Sequence, residues 1–182
     1  MLERQVFTVP TRDGASLAVE HIPAEGPPAG AAWVAHAMMA NRRSLDRPRG
    51  AGLASRLAAA GVHVFLADLR GHGACARAPH WTFDEIVRED LPALGRFVRA
   101  RHPDLPVAGV GHSLTAYGVL ASAGDPAVAG PLDAIVSIAG NPWLRTLEPS
   151  PLIWAVKRFT MEGFRAIAAA FHGAPAVLLK EV

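Results

Sequence analysis

The segment Val107-Ala-Gly-Val-Gly-His-Ser-Leu-Thr-Ala-Tyr-Gly118 sets one serine, Ser113, between β-like apolar residues and a helix-like run. A serine held on a sharp strand-to-helix turn projects its hydroxyl above a sheet edge, where it can attack a carbonyl. Such a turn needs small neighbours: Gly111 supplies one, and Thr115 and Ala116 occupy the far side. The backbone N–H of Leu114, at the helix N-terminus, would then be placed to stabilise an oxyanion. The same residues also fit a plain helix cap, with Ser113 serving only the first turn. The stretch alone leaves both readings open.

Two other segments carry polar groups after predicted strands. In Asp68-Leu-Arg-Gly-His-Gly73 the glycines permit a tight loop, across which Asp68 and His72 are expected to hydrogen-bond; a simple turn is the alternative. In His36-Ala-Met-Met-Ala-Asn41 a loop could aim a backbone N–H at the same edge. Its alternative is a strand end, with Met38 and Met39 as core filler.

A serine hydroxyl is a poor nucleophile without a base to take its proton and an acid to orient that base. The only histidine after Ser113 is His172, and the acids between them are Asp125, Asp133, Glu148 and Glu162. His172 ends a helical stretch before Gly173, which suits an ordinary helix C-terminus. Asp125-Pro126 reads as a turn, and Asp133 directly precedes a predicted strand. Glu148 and His172 remain as candidates, neither well placed. His112 adjoins Ser113 on a tight turn and points elsewhere, and Cys75 reads as a loop thiol without a motif partner.

The elements that must position these residues follow from periodicity. Gln5–Val9 and Ser16–Glu20 read as strands joined through Asp13-Gly14, a hairpin signal. Ala31–Ala35, Val62–Ala67, Val107–Val110 and Ala134–Ala139 read as buried strands. Between them, 50–60 has Leu53, Leu57 and Ala60 on one helical face and Gly61 as its stop. Thr82 with Glu85 forms a capping-box pattern before Ile86, Leu94 and Phe97, and Pro92 is expected to kink that helix. Leu114–Ala123 is a further helix. The order predicts an α/β chain with a mostly parallel sheet and helices on both faces.

Taken together, the Asp68 loop, the His36 loop and Val-Gly-His-Ser-Leu resemble the α/β-hydrolase superfamily, in its serine-aminopeptidase or lysophospholipase-like branch, over residues 6–141. The resemblance implies an N-terminal hairpin, a partial helical cap and a triad running serine, acid, histidine. It implies that His36-Ala37 stands where the family opens its oxyanion loop with His-Gly, making Met38 the partner of Leu114 around Ser113. Thr115 stands where the elbow has glycine, so crowding beneath Ser113 is expected. Residues 142–172 correspond to a cap, in which Trp143, Leu144, Leu152, Trp154, Phe159 and Phe164 would line an apolar acyl site; amphipathic packing on the sheet is the alternative. The family's histidine lies in a loop after the last strand, so 1–182 is expected to be one truncated domain. Ala176–Leu179 would begin a strand without neighbours, an edge open to self-association.

The implied function is hydrolysis of a carboxylic ester or related acyl compound by Ser113, with an inactive truncated binding domain as the alternative. Acyl transfer would use the same residues. Composition fits one domain: 182 residues, 51% apolar. Eighteen basic against sixteen acidic residues, without aromatic interleaving near Arg42-Arg43, give no nucleic-acid signature. One cysteine precludes an internal disulfide or a multi-cysteine metal site. No apolar run approaches the roughly 20 residues of a membrane helix, and the N-terminus lacks a signal core. A cytoplasmic protein without metal or cofactor is the expectation.

Overall fold

A computed structural model describes residues 3–75, 80–125, 128, 130–140, 150–153, 155, 156, 158 and 159. Strands β1 (Gln5–Pro10) and β2 (Ser16–Ile22) form the expected hairpin, with Gly14 at φ +88° in the turn. Four more strands follow: β3 (Gly30–Ala35), β4 (Val62–Asp68), β5 (Val107–His112) and β6 (Ala134–Ile138). The sheet order is β1-β2-β4-β3-β5-β6. The pairs β3–β4, β3–β5 and β5–β6 are parallel, whereas β1–β2 and β2–β4 are antiparallel.

All six residues of β3 are buried, as a strand covered on both faces requires. Trp33, Phe65 and Val107 pack on one side with Leu17, Val19 and the helical residues Ile86, Leu91, Leu94 and Val98. Their neighbours Ala32, Val34, Val64, Leu66 and Val110 pack on the other with Ala54 and Ala58. The two-residue repeat of each strand therefore builds two separate cores.

Helix α1 (Leu53–Ala59) buries Ala54 and Ala58, with Leu57 only partly covered. Leu53 is 37% exposed and Ala60 is exposed, so the buried stripe is not the one expected from Leu53, Leu57 and Ala60. Alanines let the helix lie closer to the sheet than leucines would. The predicted capping box is present: Thr82 N–H donates to Glu85 Oε2 (2.6 Å) and Glu85 N–H to Thr82 Oγ1 (3.4 Å). The helix runs through α2 (Phe83–Glu85), a π-helical turn (Ile86–Asp90) and α3 (Leu91–Arg101). Pro92 falls in the first turn of α3, directly after that π turn, where its missing N–H disturbs least. Helix α4 (Leu114–Gly124) follows β5.

Two of the expected cap residues are described, and both are exposed: Leu152 by 73% and Phe159 by 82%. Neither packs on the sheet. Trp143, Leu144, Trp154 and Phe164, like Ala176–Leu179, lie outside the described residues. No described helix is long and apolar enough to cross a membrane.

A buried cation ties the hairpin to the helical layer. Arg70 is 4% exposed; its Nε donates to Asp90 Oδ1 (2.8 Å) and its Nη1 to Asp13 Oδ2 (2.7 Å). Its backbone N–H reaches Asp90 Oδ2 (3.1 Å), and Glu85 Oε1 lies 3.3 Å from Nη1. Removing one partner of such a cluster strands a buried charge, at about 3–5 kcal/mol. Arg70→Met is therefore expected to lower stability by about that amount in urea unfolding.

The two acids respond to pH in opposite directions. The Arg70 hydrogen bond holds Asp13 down to about 2 from its ordinary 3.8, whereas burial pushes Asp90 up. The Asp13 contribution is full above its unfolded pKa and is lost as pH falls through the folded value. Comparison with Asp13→Asn isolates it: the stability advantage of the parent is expected to shrink between pH 3.8 and about 2. An advantage independent of pH over that window would contradict the assignment.

Candidate active site

Strands β3, β4 and β5 run parallel, so His36, Asp68 and Ser113 all emerge at one sheet edge, where open α/β sheets place their sites. Between β5 and α4 the chain reverses through Ser113, whose φ of 55° and ψ of −111° lie where a residue with a Cβ is strained. The turn is held by Ser113 N–H donating to Ile138 O (2.9 Å) and Tyr117 N–H to Ser113 O (3.1 Å). Gly111 is required beneath it: a Cβ there would sit 2.6 Å from Ala116 N and still closer to the Thr115 carbonyl.

The side chain of Ser113 makes no capping bond. That removes the plain helix-cap reading. Among the described residues the hydroxyl has no hydrogen-bond partner, and the residue is half-buried. Leu114 begins α4, so its N–H has no intrahelical acceptor.

Beyond β3, the loop starts at His36, which is 2% exposed. Its Nδ1–H donates to Ala37 O (2.8 Å) and its Nε2 accepts from Leu69 N–H (3.2 Å), so both nitrogens are committed. Burial drives its pKa down to about 4, and the ring is neutral at pH 7. The loop then turns back, with Ala40 N–H donating to Ala37 O (3.2 Å) and Met39 at φ 61°. Met38, at the tip, is 36% exposed, and the core-filler reading does not hold for it.

Thr115, expected to crowd the elbow, is fully buried and has a task. Its hydroxyl donates to the His36 carbonyl at 2.6 Å, joining the β5 turn to the β3 loop. The crowding falls on Gly111, which has no side chain to be displaced.

The Asp68 loop differs from expectation. Asp68 and His72 do not bond to each other. The Asp68 carboxylate accepts from Arg42 N–H (2.6 Å), the Arg42 guanidinium and Ala74 N–H (2.9 Å). His72 Nδ1–H donates to Arg70 O (2.9 Å), and its ring packs between His36 and Trp81. Gly73 brings the backbone against Asp68 so closely that a Cβ would collide with the carboxylate. The fold of this loop, not proton transfer, consumes these groups. Cys75 is a loop thiol as expected: its Sγ–H donates to Asp68 O (2.9 Å), and burial pushes its pKa up to about 12.

Two acids weighed for the triad are structural. Asp133 accepts from Val107 N–H (2.7 Å) and Arg99 at the start of β5, the opposite end from Ser113. Asp125 follows the last residue of α4, 11 residues and about 16 Å along the helix, with Arg88 3.4 Å away. Glu148, Glu162 and His172 lie outside the described residues. Sequence reasoning missed Arg42 and Arg70 as buried partners and Thr115 as a link; the only available signal was their place beside glycine-rich loops.

The fold and the turn at Ser113 define an α/β hydrolase. Residues 30–172 match the serine aminopeptidase family, S33, and the chain belongs to it. No match was found among curated protein sequences. Among solved structures, the chain is similar to the Pyrococcus furiosus esterase Pf2001 (18% identity, TM-score 0.64, 78% of this chain and 53% of that one). It is also similar to a highly thermostable carboxyl esterase from Bacillus coagulans (19%, 0.58, 74% and 44%). A third is XC6422 from Xanthomonas campestris, an α/β serine hydrolase without lid (23%, 0.54, 68% and 57%). The chain thus spans about half the length of the structures it matches.

The Thr115 link can be tested directly. Thr115→Val keeps the shape but leaves the His36 carbonyl without this donor, at about 1–3 kcal/mol for a buried polar group. Thr115→Ser keeps the hydroxyl and is expected to lose less in urea unfolding. Equal losses would show that the methyl group, not the bond, matters.

Proposed function

We propose that this chain carries the nucleophile and oxyanion hole of a serine hydrolase acting on carboxylic esters or related acyl compounds. The observation that carries the proposal is Ser113 itself: a non-glycine residue at positive φ whose hydroxyl caps nothing. Strain of order 1–3 kcal/mol at a position with a free nucleophile is the pattern of a functional site. The esterase names of the structural neighbours favour an ester as substrate, and the exposed apolar Leu152 and Phe159 favour an apolar acyl or alkyl group.

In this mechanism Ser113 Oγ attacks the carbonyl carbon as its proton passes to a base. The carbonyl π pair moves to oxygen, where the N–H groups of Met38 and Leu114 stabilise the negative charge. Collapse re-forms the carbonyl and expels the alcohol, which takes the proton, leaving an acyl group on Ser113. Water repeats the sequence and frees the acid; another acceptor in its place would make the reaction acyl transfer. Residues 142–172 would cover the site as a cap. The base and the orienting acid are assigned to no described residue.

That last point favours a second reading, a hydrolase-like domain that binds a small apolar ligand or a partner without turnover. The two differ in one measurement. An active nucleophile is expected to be labelled by a fluorophosphonate probe in the folded chain, and Ser113→Ala should abolish the label. Absence of labelling in protein that is folded by circular dichroism would sink the hydrolase reading and leave the binding domain.

A further inference from the structure

At the opposite end of the sheet from Ser113, three histidines converge. His21 lies near the end of β2, His63 near the start of β4, and His102 follows the last residue of α3. One ring nitrogen of each lies within 4.8 Å of one ring nitrogen of both others. All three side chains are half-buried. We propose that His21, His63 and His102 form a binding site for a divalent transition metal of the zinc class, with a water completing the coordination.

The geometry argues for it in three steps. His21 Nε2 and His63 Nδ1 are 3.2 Å apart. Two nitrogens each about 2.0–2.1 Å from one tetrahedral zinc are separated by about 3.3–3.4 Å, so two rings already stand at ligand spacing. Ala24 N–H also donates to His63 Nδ1 (3.3 Å), which fixes that nitrogen as an unprotonated acceptor. A metal would take its single lone pair and displace both donors: the His21 proton would move to its own Nδ1, and the Ala24 N–H would need another acceptor.

Stacking gathers the rings: His63 lies on His102 with centroids 4.2 Å apart, and His21 on Phe65 at 4.4 Å. Two imidazoles converging on one zinc hold their centroids about 5 Å apart, so His102 must tilt out of its stack to bind. Three imidazoles with an open fourth position are a donor set suited to zinc, copper or nickel. Burial holds His21 down to about 4 and lowers His63 and His102 as well, so the rings are neutral near pH 7, the form that binds metal. One charge opposes a dication: Arg101, which faces His21 and His102 and lies 3.6 Å over the Phe97 ring.

The site would join two strands to the end of a helix, far from Ser113. Its role is therefore structural, and it stands apart from the hydrolase reading. Nothing in the sequence marks it, because its members come from three distant segments with none of the short spacings of metal motifs.

The test uses the full chain, stripped with chelator and titrated with Co²⁺, whose visible absorption reports coordination number. One equivalent is expected to bind with the strong bands of a four- or five-coordinate site, and Zn²⁺ should displace it. His63→Ala and His102→Ala should each weaken binding more than about tenfold, the lower end of the effect of losing even a supporting partner. Zn²⁺ should raise the unfolding temperature of the parent but not of His102→Ala. His102 lies outside the strands, so that variant decides alone if His63→Ala fails to fold. No saturable Co²⁺ spectrum, or binding of equal strength in His102→Ala, would overturn the proposal.

Discussion

The carboxylate of Asp68 is 1% exposed, and a charge so deeply buried persists only where donors replace its lost water. Two of its donors, the Arg42 N–H and guanidinium, come from the chain that leaves the β3 loop; the third, Ala74 N–H, comes from the loop after β4. Satisfying one charge therefore fixes two loops at the same sheet edge. Arg42 also reaches Glu20 (3.5 Å), which draws in Arg4 (3.3 Å) and Arg49 (3.0 Å). Arg4 continues to Asp46 at 2.7 Å, and Asp46 accepts from Ser55 Oγ at 2.6 Å. A line of alternating charges thus runs from the hairpin to α1. Its buried carboxylates, Asp68, Glu20 and Asp46, are costly unpaired, whereas the exposed Arg49 adds little.

The elbow relies on a different balance. Ser113 holds positive φ where the chain passes directly from β5 into α4, and Gly111 lets the first turn of the helix come close beneath it. The bond from Thr115 to the His36 carbonyl then carries the elbow's position across to the β3 loop. That loop has strain of its own, with Met39 at φ 61°. The Thr115 bond thus ties together two segments that each carry one non-glycine residue at positive φ, Ser113 and Met39.

Much of the architecture was legible because buried strands announce themselves. Ala31–Ala35 and Val62–Ala67 are runs that only a doubly covered sheet accommodates, and Asp13-Gly14 and Thr82-Glu85 carry their local geometry in their chemistry. The buried face of α1 was not legible, since alanine is apolar enough to pack and small enough to be overlooked beside leucine. The turn at Ser113 could be read as far as its alternatives; its backbone angle and its absent cap bond lie beyond what a local pattern encodes. The partners of Asp68, Arg70 and the three histidines could not be read at all. They depend on contacts between residues distant in sequence, which a local pattern does not encode.

The described histidines also bear on where the base could come from. His36 and His72 are locked into the loops that shape the site, with ring nitrogens bonded to backbone groups. His21, His63 and His102 gather at the other end of the strands. His80 is exposed, and His112 adjoins Ser113 on β5 without bonding to its hydroxyl. None of these is engaged with Ser113, yet the elbow, the loop opposite it and the charge network behind both are in place. Packing on the sheet enforces the geometry of Ser113 and of the two loops beside it; a base acting on Ser113 would have to come from outside the hydrogen bonds that hold His36 and His72.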